Sequence, residues 1–257
     1  MFKFKKLSKL TAILLSLDWV WYRALLLFRV APSIEHVAIL KYLQPDFIVD
    51  VGANRGQFTL AALNVLPQAN VLCFEPLESA YNGLSRLFNF ETRVSMHNTA
   101  IGDVDTHMSM NVSNKEDSSS LLEISDLQAE IFPGTEHSEV EKVSVCRLSK
   151  FMTNDLLDKN ILIKIDVQGY ELEVLRGAGE ILSKVQTIYV ECSFVELYAQ
   201  QADAKDVIEF LSTHGFSLDG VYNLEYDALG MAVQGDFLFT NSTLQWSQNQ
   251  FLNRLNS

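Results

Sequence analysis

The chain has 257 residues, 48% of them hydrophobic and 20% charged, with 20 Lys and Arg against 32 Asp and Glu and a formal charge of −12. That fits one large domain plus additions, with enough apolar residues for a sizeable core. The acidic balance argues against nucleic acid as a main partner, because capture of a polyphosphate needs the opposite sign.

The N-terminus differs from the rest. Lys3, Lys5, Lys6 and Lys9 precede an apolar stretch from Leu10 to Val30, which Asp18, Arg23 and Arg29 interrupt. No clean run of about 18 apolar residues results, so a membrane-spanning helix is not expected. No small-residue cleavage site follows convincingly either. The stretch reads as an amphipathic helix carrying Trp19, Trp21, Tyr22, Leu25, Leu26 and Phe28. Packing within the molecule or in a homo-oligomer is the expectation, and contact with a membrane surface is the alternative. The division expected is an N-terminal helical extension over 1–40, a domain over 41–242 and a short tail over 243–257. The expected location is the cytoplasm, with the inner face of a membrane as the alternative site.

After Pro32 and Pro45, strand and helix patterns alternate, the signature of an α/β domain. Strands are expected at Phe47–Val51, Val71–Phe74, Val94–Thr99, Ile161–Val167 and Thr187–Cys192. Helices are expected over Gly56–Leu66, around Ser79–Asn89, from near Tyr170, and over Ala204–His214. The last segments, Phe216–Val221 and Asp236–Thr240, flank a turn-rich stretch and read as a terminal antiparallel pair. Between strands three and four, Asp103–Lys150 is longer than an ordinary connection. Such insertions beside an α/β site serve as lids or substrate loops; a solvated surface excursion is the plainer alternative. Cys73, Cys146 and Cys192 lie far apart without zinc spacing and read as free thiols of a reducing compartment.

The first strand ends in an acid, Asp50, followed by two glycines four positions apart, Gly52 and Gly56. This is a buried strand turning sharply into a helix whose N-terminal N–H groups face a ligand. Glu75 ends the next strand, about 20 residues beyond Gly56, the spacing at which an acid binds ribose hydroxyls. An adenosine-bearing cofactor at the carboxyl ends of a doubly wound sheet follows.

Four motifs then carry a resemblance: Asp50-Val51-Gly52-Ala53-Asn54-Arg55-Gly56, Phe74-Glu75-Pro76, Asn98-Thr99-Ala100-Ile101-Gly102, and the run from Lys164-Ile165-Asp166-Val167-Gln168-Gly169 to Ala178. In this order, each at a strand end, they resemble the FkbM-type methyltransferases over roughly residues 44 to 240. The resemblance implies a class I methyltransferase fold, Rossmann-like, with a mostly parallel sheet. It also implies S-adenosylmethionine-dependent methyl transfer, generally to oxygen, on a sugar, glycolipid precursor or secondary metabolite. The acceptor is thus a small molecule or a glycan- or lipid-linked one.

The residues agree with that cofactor. Asp50 can hold its cationic end, directly or through water; Gly52, Asn54 and Gly56 shape the turn. Glu75 can accept both ribose hydroxyls in charge-assisted bonds, and Ala100 is placed alongside adenine. Pro76, Asn98, Asp166 and Gln168 join the cofactor set through the motifs they stand in. For catalysis, Asp166 stands where the fourth strand meets the site, Glu191 ends the neighbouring strand, and His97 is the one histidine retained as a base. Asp166 and Glu191 can share a divalent ion or flank an acceptor hydroxyl; ordinary hydrogen bonding by the same acids is the alternative. Two rival readings stand beside this one. A non-catalytic interaction module on the same fold is opposed by the intact Asp50, Gly52, Glu75 and Asp166. A nicotinamide-dependent oxidoreductase is disfavoured by the missing Gly-x-Gly-x-x-Gly.

Overall fold

The computed structural model describes residues 19–244. Seven strands form the main sheet: β1 (Phe47–Val51), β2 (Asn70–Phe74), β3 (Val94–His97), β7 (Ile161–Ile165), β8 (Thr187–Ser193), β9 (Phe216–Tyr226) and β10 (Ala232–Asn241). Their order is β3-β2-β1-β7-β8-β10-β9. All pairings are parallel except those of β10, which runs antiparallel to both β8 and β9. The doubly wound sheet with a terminal antiparallel pair is therefore as expected. All five residues of β1 and all five of β7 are buried, which is why both read as continuous apolar runs rather than alternating ones.

The helices are α1 (Trp19–Arg23), α2 (Val37–Leu43), α3 (Gln57–Val65), α4 (Glu78–Phe88), α5 (Asp126–Ile131), α6 (Asn154–Leu157), α7 (Glu171–Ala178) and α8 (Ala204–Thr213). Two apolar layers sandwich the sheet. One unites Val49, Ile163 and Val190 with Val174 of α7 and Leu211 of α8. The other unites Ile48, Val71 and Leu162 with Phe58 of α3 and Leu40 of α2. Helix α8 starts with a capping box, in which Asp203 and Asp206 satisfy each other's backbone N–H groups.

The N-terminal segment is no detachable extension in its described part. Trp21, Ala24, Val30, Ile39, Leu40 and Leu43 are buried in the same layer as Ile48 and Phe58. Each such aliphatic side chain contributes about 1.5–3 kcal/mol by leaving water, so a boundary at residue 40 cuts through a packed unit. The basic leader Lys3–Lys9 and the helix expected up to Asp18 lie outside the described residues, as does the tail from 245 on. Among the described residues no helix is long and apolar enough to cross a membrane.

The strand expected over Val94–Thr99 divides. Strand β3 stops at His97, and Ala100–Ile101 (β4) leaves for a second, three-stranded sheet with β5 (Thr106–Ser113) and β6 (His137–Cys146), in the order β4-β6-β5. Asn98 makes the break. Its side-chain amide donates to the Glu75 and Pro76 carbonyls, both at 2.9 Å, and so ties the chain to the end of β2. The long Asp103–Lys150 insertion is built on this small sheet, and its loops reach over the carboxyl ends of the main one.

Candidate active site

A cavity of about 910 Å³ opens at the carboxyl ends of β1, β2, β7 and β8. It includes the crevice between β1 and β7, where the strand order reverses and where ligands enter open α/β sheets. The insertion supplies part of its wall through Met110, Asp117, Leu121 and Phe132, and the N-terminal segment supplies Ser33–His36.

The turn after β1 is dictated by close approach. Gly52 has φ +78°, and a Cβ there would lie 1.8 Å from the Asp166 carbonyl oxygen, so only glycine fits. Asn54 also takes a left-handed backbone, with φ 47°. Its N–H donates to Glu75 Oε2 at 2.9 Å, while its own Oδ1 receives the Arg55 N–H at 2.7 Å. Gly56 begins α3 with φ +90°, and a Cβ there would meet Phe88 at 2.5 Å. It shapes the turn, as expected, by packing and not by facing the cavity.

Glu75 is buried. Its Oε1 accepts the Leu77 N–H at 2.9 Å, and its Oε2 accepts that of Asn54. Each oxygen keeps lone-pair capacity for a hydroxyl. Burial pushes its pKa up to about 7, against the pull of the two N–H bonds. Pro76 and Ala100 line the same part of the cavity with Phe74 and Ile101. Asn98 is not part of the wall; it clamps the loop behind it.

Asp50 also stands behind the wall. Its Oδ2 accepts the Thr59 hydroxyl at 2.7 Å, and its Oδ1 lies 3.6 Å from Lys164 Nζ. That buried Oδ1 has no hydrogen bond among the described residues. Lys164 does line the cavity, and it bridges Asp50 to Asp166, whose Oδ2 is 3.3 Å away. Burial opposes the lysine's charge, but Asp166 and Asp50 outweigh it and hold the ammonium above its ordinary pKa.

Gln168, left-handed at φ 58°, joins the two expected acids. Its side-chain nitrogen donates to Asp166 Oδ1 and to Glu191 Oε2, each at 2.8 Å. Its side-chain oxygen accepts the Tyr198 hydroxyl at 2.7 Å, and its backbone carbonyl accepts Ser120 Oγ of the insertion at 2.6 Å. Glu191 Oε1 accepts from Gln234 at 3.1 Å. Burial, then the nearby Asp166 and Asp236, push Glu191 well above the usual carboxylate range. The pair is thus joined by an amide bridge, the hydrogen-bonding alternative. Among the described residues no group of three or more His, Cys, Asp or Glu is arranged to hold a metal ion. Glu171 anchors the loop by accepting the Val167 and Gly169 N–H groups, and burial raises its pKa to about 7.

His97 does not reach this cavity. It ends β3 with its ring between Phe74, 5.4 Å away centre to centre, and Phe151, at 4.7 Å. It lines a separate hollow with Leu72 and Phe151, and burial lowers its pKa. A base at His97 is therefore corrected to an aromatic packing role. The histidine that lines the cavity is His36, 13% exposed, with Nδ1 3.3 Å from the Tyr189 hydroxyl and 3.7 Å from Asp236 Oδ2. Lys164 carried a sequence signal, being a charge inside a fully apolar strand. His36, Asp117, Asn223, Gln234 and Asp236 carried none, because their neighbours are distant in sequence.

The Gly52 cradle, the buried Glu75 carboxylate and the unbonded Asp50 Oδ1 fit a cofactor with ribose hydroxyls and a cationic end. Residues 50–218 match the model of the methyltransferase FkbM domain. The chain is 30% identical over 225 residues to the 2-O-methyltransferase NoeI of Sinorhizobium fredii, covering 81% of this chain and 86% of that protein. It is 28% identical to Methyltransferase 1 of Beauveria bassiana, over 68% of this chain and 74% of that one. Among solved structures, the magnesium protoporphyrin IX methyltransferase of Synechocystis PCC 6803 with bound S-adenosylmethionine aligns at 11% identity and a TM-score of 0.44, over 80% of this chain and 76% of that one.

Proposed function

The chain belongs to the FkbM methyltransferase family and is an S-adenosylmethionine-dependent methyltransferase; from that premise we propose that it methylates a hydroxyl oxygen of a small, polyhydroxylated, uncharged or cationic acceptor. The observation that carries this reading is the lining of the cavity beyond Asp166. Gln168, Glu191, Asn223, Gln234 and Asp236 stand there together, with Asp117 facing them from the insertion. Carboxylates and primary amides are the groups that bind hydroxyls in pairs, donating and accepting. A phosphorylated or otherwise anionic acceptor would meet like charge. The Sinorhizobium relative is a 2-O-methyltransferase, which supports oxygen as the acceptor atom. Sugars, glycolipid precursors and hydroxylated secondary metabolites all satisfy this chemistry.

In this reading Glu75 holds the ribose, while Gly52, Asn54 and Pro76 with Ala100 shape the walls around the cofactor. Asp50 acts on its cationic end from behind, through Lys164 or water. The cofactor supplies a methyl group already activated on a sulfonium, so the chain's task is to align the acceptor and keep water out. Such positioning is worth about 7–11 kcal/mol in favourable model systems. Asp166, 37% exposed, orients the acceptor hydroxyl, and Gln168 fixes Asp166 and Glu191 relative to each other. We place the functional domain over all described residues, N-terminal segment included. We place the protein in the cytoplasm, where its unbridged cysteines persist.

The test is incubation of the protein with methyl-labelled S-adenosylmethionine and a fractionated cell extract, followed by mass spectrometry. An alkali-stable product heavier by one labelled CH2 on a hydroxyl supports the reading. Label on nitrogen, carbon or a carboxylate, or no transfer to any fraction, overturns it.

A further inference from the structure

His36 lies outside the residues that match the family model, as do Asn223 and Asp236, yet the three meet in one cluster at the cavity wall. Among the described residues the imidazole's polar neighbours all face Nδ1: the Tyr189 hydroxyl at 3.3 Å, Asp236 Oδ2 at 3.7 Å and, beside them, the Asn223 amide nitrogen, itself a donor, at 3.4 Å. Tyr189 donates its own proton to Asp236 Oδ2 at 3.1 Å, and Asn223 donates to the same oxygen at 2.7 Å. Asn223 gives its second amide proton to the Tyr189 oxygen at 3.3 Å; the remaining lone pair of that oxygen is left to accept from His36, and the carboxylate beyond it favours the proton on Nδ1. Phe58 and Tyr189 hold the imidazole edge-on, with ring centres 5.3 and 5.6 Å away. Nε2 is then the nitrogen with a free lone pair.

We propose that His36 is the general base of the transfer, taking the acceptor's hydroxyl proton on Nε2, with Tyr189, Asn223 and Asp236 as the positioning residues that fix its tautomer. This rests on the reading of hydroxyl methylation. The acceptor O–H bond gives its proton to Nε2, the oxygen bonds the methyl carbon as the carbon–sulfur bond breaks, and the pair from that bond stays on sulfur. The sulfonium charge disappears and reappears on the imidazolium, which loses its proton to water in the open cavity.

The carboxylates are poorer bases. Glu191 accepts an amide N–H on each oxygen, from Gln168 and from Gln234, and Asp166 is paired with the Lys164 ammonium at 3.3 Å while it orients the acceptor. His36 is neutral instead. Burial lowers its pKa, Asp236 and Glu35 oppose that, Lys164 adds to it, and Asp166 opposes it weakly. A neutral imidazole positioned as general base contributes roughly 100-fold to 10,000-fold in rate.

Two measurements decide. First, long-range proton–nitrogen correlation spectra of nitrogen-15 histidine-labelled protein, saturated with S-adenosylhomocysteine at pH 7.5, with the His36 signals assigned by their loss in His36→Gln. The expected pattern is a proton on Nδ1 and none on Nε2; a proton on Nε2, or on both nitrogens, overturns the proposal. Second, rates with the extract fraction that wild type methylates. His36→Gln should lose about 100-fold or more in kcat, keep its S-adenosylhomocysteine affinity within about twofold, and lose the acid limb of the pH profile. Asp236→Asn should shift that limb. A His36→Gln protein with a wild-type rate and limb overturns the proposal alone, whereas wild type that methylates no hydroxyl overturns the reading beneath it.

Discussion

Replacing Glu75 by glutamine keeps the shape of the side chain and removes its charge. The carboxylate accepts the N–H groups of Asn54 and Leu77, one on each oxygen. An amide has one carbonyl oxygen, so one of these N–H groups loses its partner. The bonds to the ribose also lose their charge assistance. Loss of a charge-assisted hydrogen bond costs roughly 1.5–3 kcal/mol, or about 10-fold to 150-fold in affinity. Stability should respond in the opposite sense, and with pH. The folded pKa, about 7 against an ordinary 4.5, is raised, so the folded chain binds a proton that the unfolded chain has already released. Burying Glu75 therefore costs almost nothing below pH 4.5, increasingly more from 4.5 to 7, and its full amount above 7. Integrated between pH 5 and pH 8 this is about 2–3 kcal/mol. Relative to wild type, Glu75→Gln should be that much more stable at pH 8 than it is at pH 5. Wild-type affinity for S-adenosylmethionine should fall below pH 7, as Glu75 takes up its proton, with a steeper slope than in the variant. Calorimetric titrations and urea unfolding across this pH range measure both. Equal affinity in the two proteins with parallel pH slopes would remove Glu75 from the cofactor site.

Gly52→Ala places a Cβ against the Asp166 carbonyl and forces a left-handed backbone on alanine; a loss above about 4 kcal/mol in stability is expected, read by urea unfolding, and a near-wild-type midpoint would contradict it. Asp166→Asn should keep the fold, lower kcat/KM about 10-fold through one lost hydrogen bond to the acceptor, and leave the acid limb of the pH profile in place. Its activity, like that of wild type, should be unaffected by EDTA, and loss of activity in the chelator would bring back a metal between Asp166 and Glu191. Deletion of residues 1–43 removes, among the described residues, Ala24 and five larger buried side chains from the core, a loss on the order of 10 kcal/mol at about 1.5–3 for each of the five and comparable to a whole domain's stability. The truncated chain should lack near-ultraviolet circular dichroism and cofactor binding; a folded, binding core would restore the boundary near residue 40.

The sequence by itself determined the sheet, the tight turn after β1 and the family. Buried parallel strands are continuous apolar runs, and the turn after β1 needs glycine at Gly52 for reasons local to the chain. Glu75 follows one strand and one helix later, at a spacing the βαβ unit imposes. The four motifs ordered these pieces and fixed the family. What the tertiary structure decided is which side chains share a wall. His97 and His36 look alike in sequence, but His97 turns into an aromatic stack at the edge of the sheet, whereas a short turn after Pro32 carries His36 to the cavity. Asp50 looks like a direct ligand and stands one layer back, because Lys164 of the adjacent strand occupies the space in front of it. The cavity wall beyond Asp166 draws on residues as distant as His36, Asp117, Gln168 and Asp236, and a contact in it spans 153 positions, from His36 to Tyr189. No local periodicity records such contacts, because they arise where an N-terminal turn, an inserted sheet and an antiparallel strand pair close over the same strand ends.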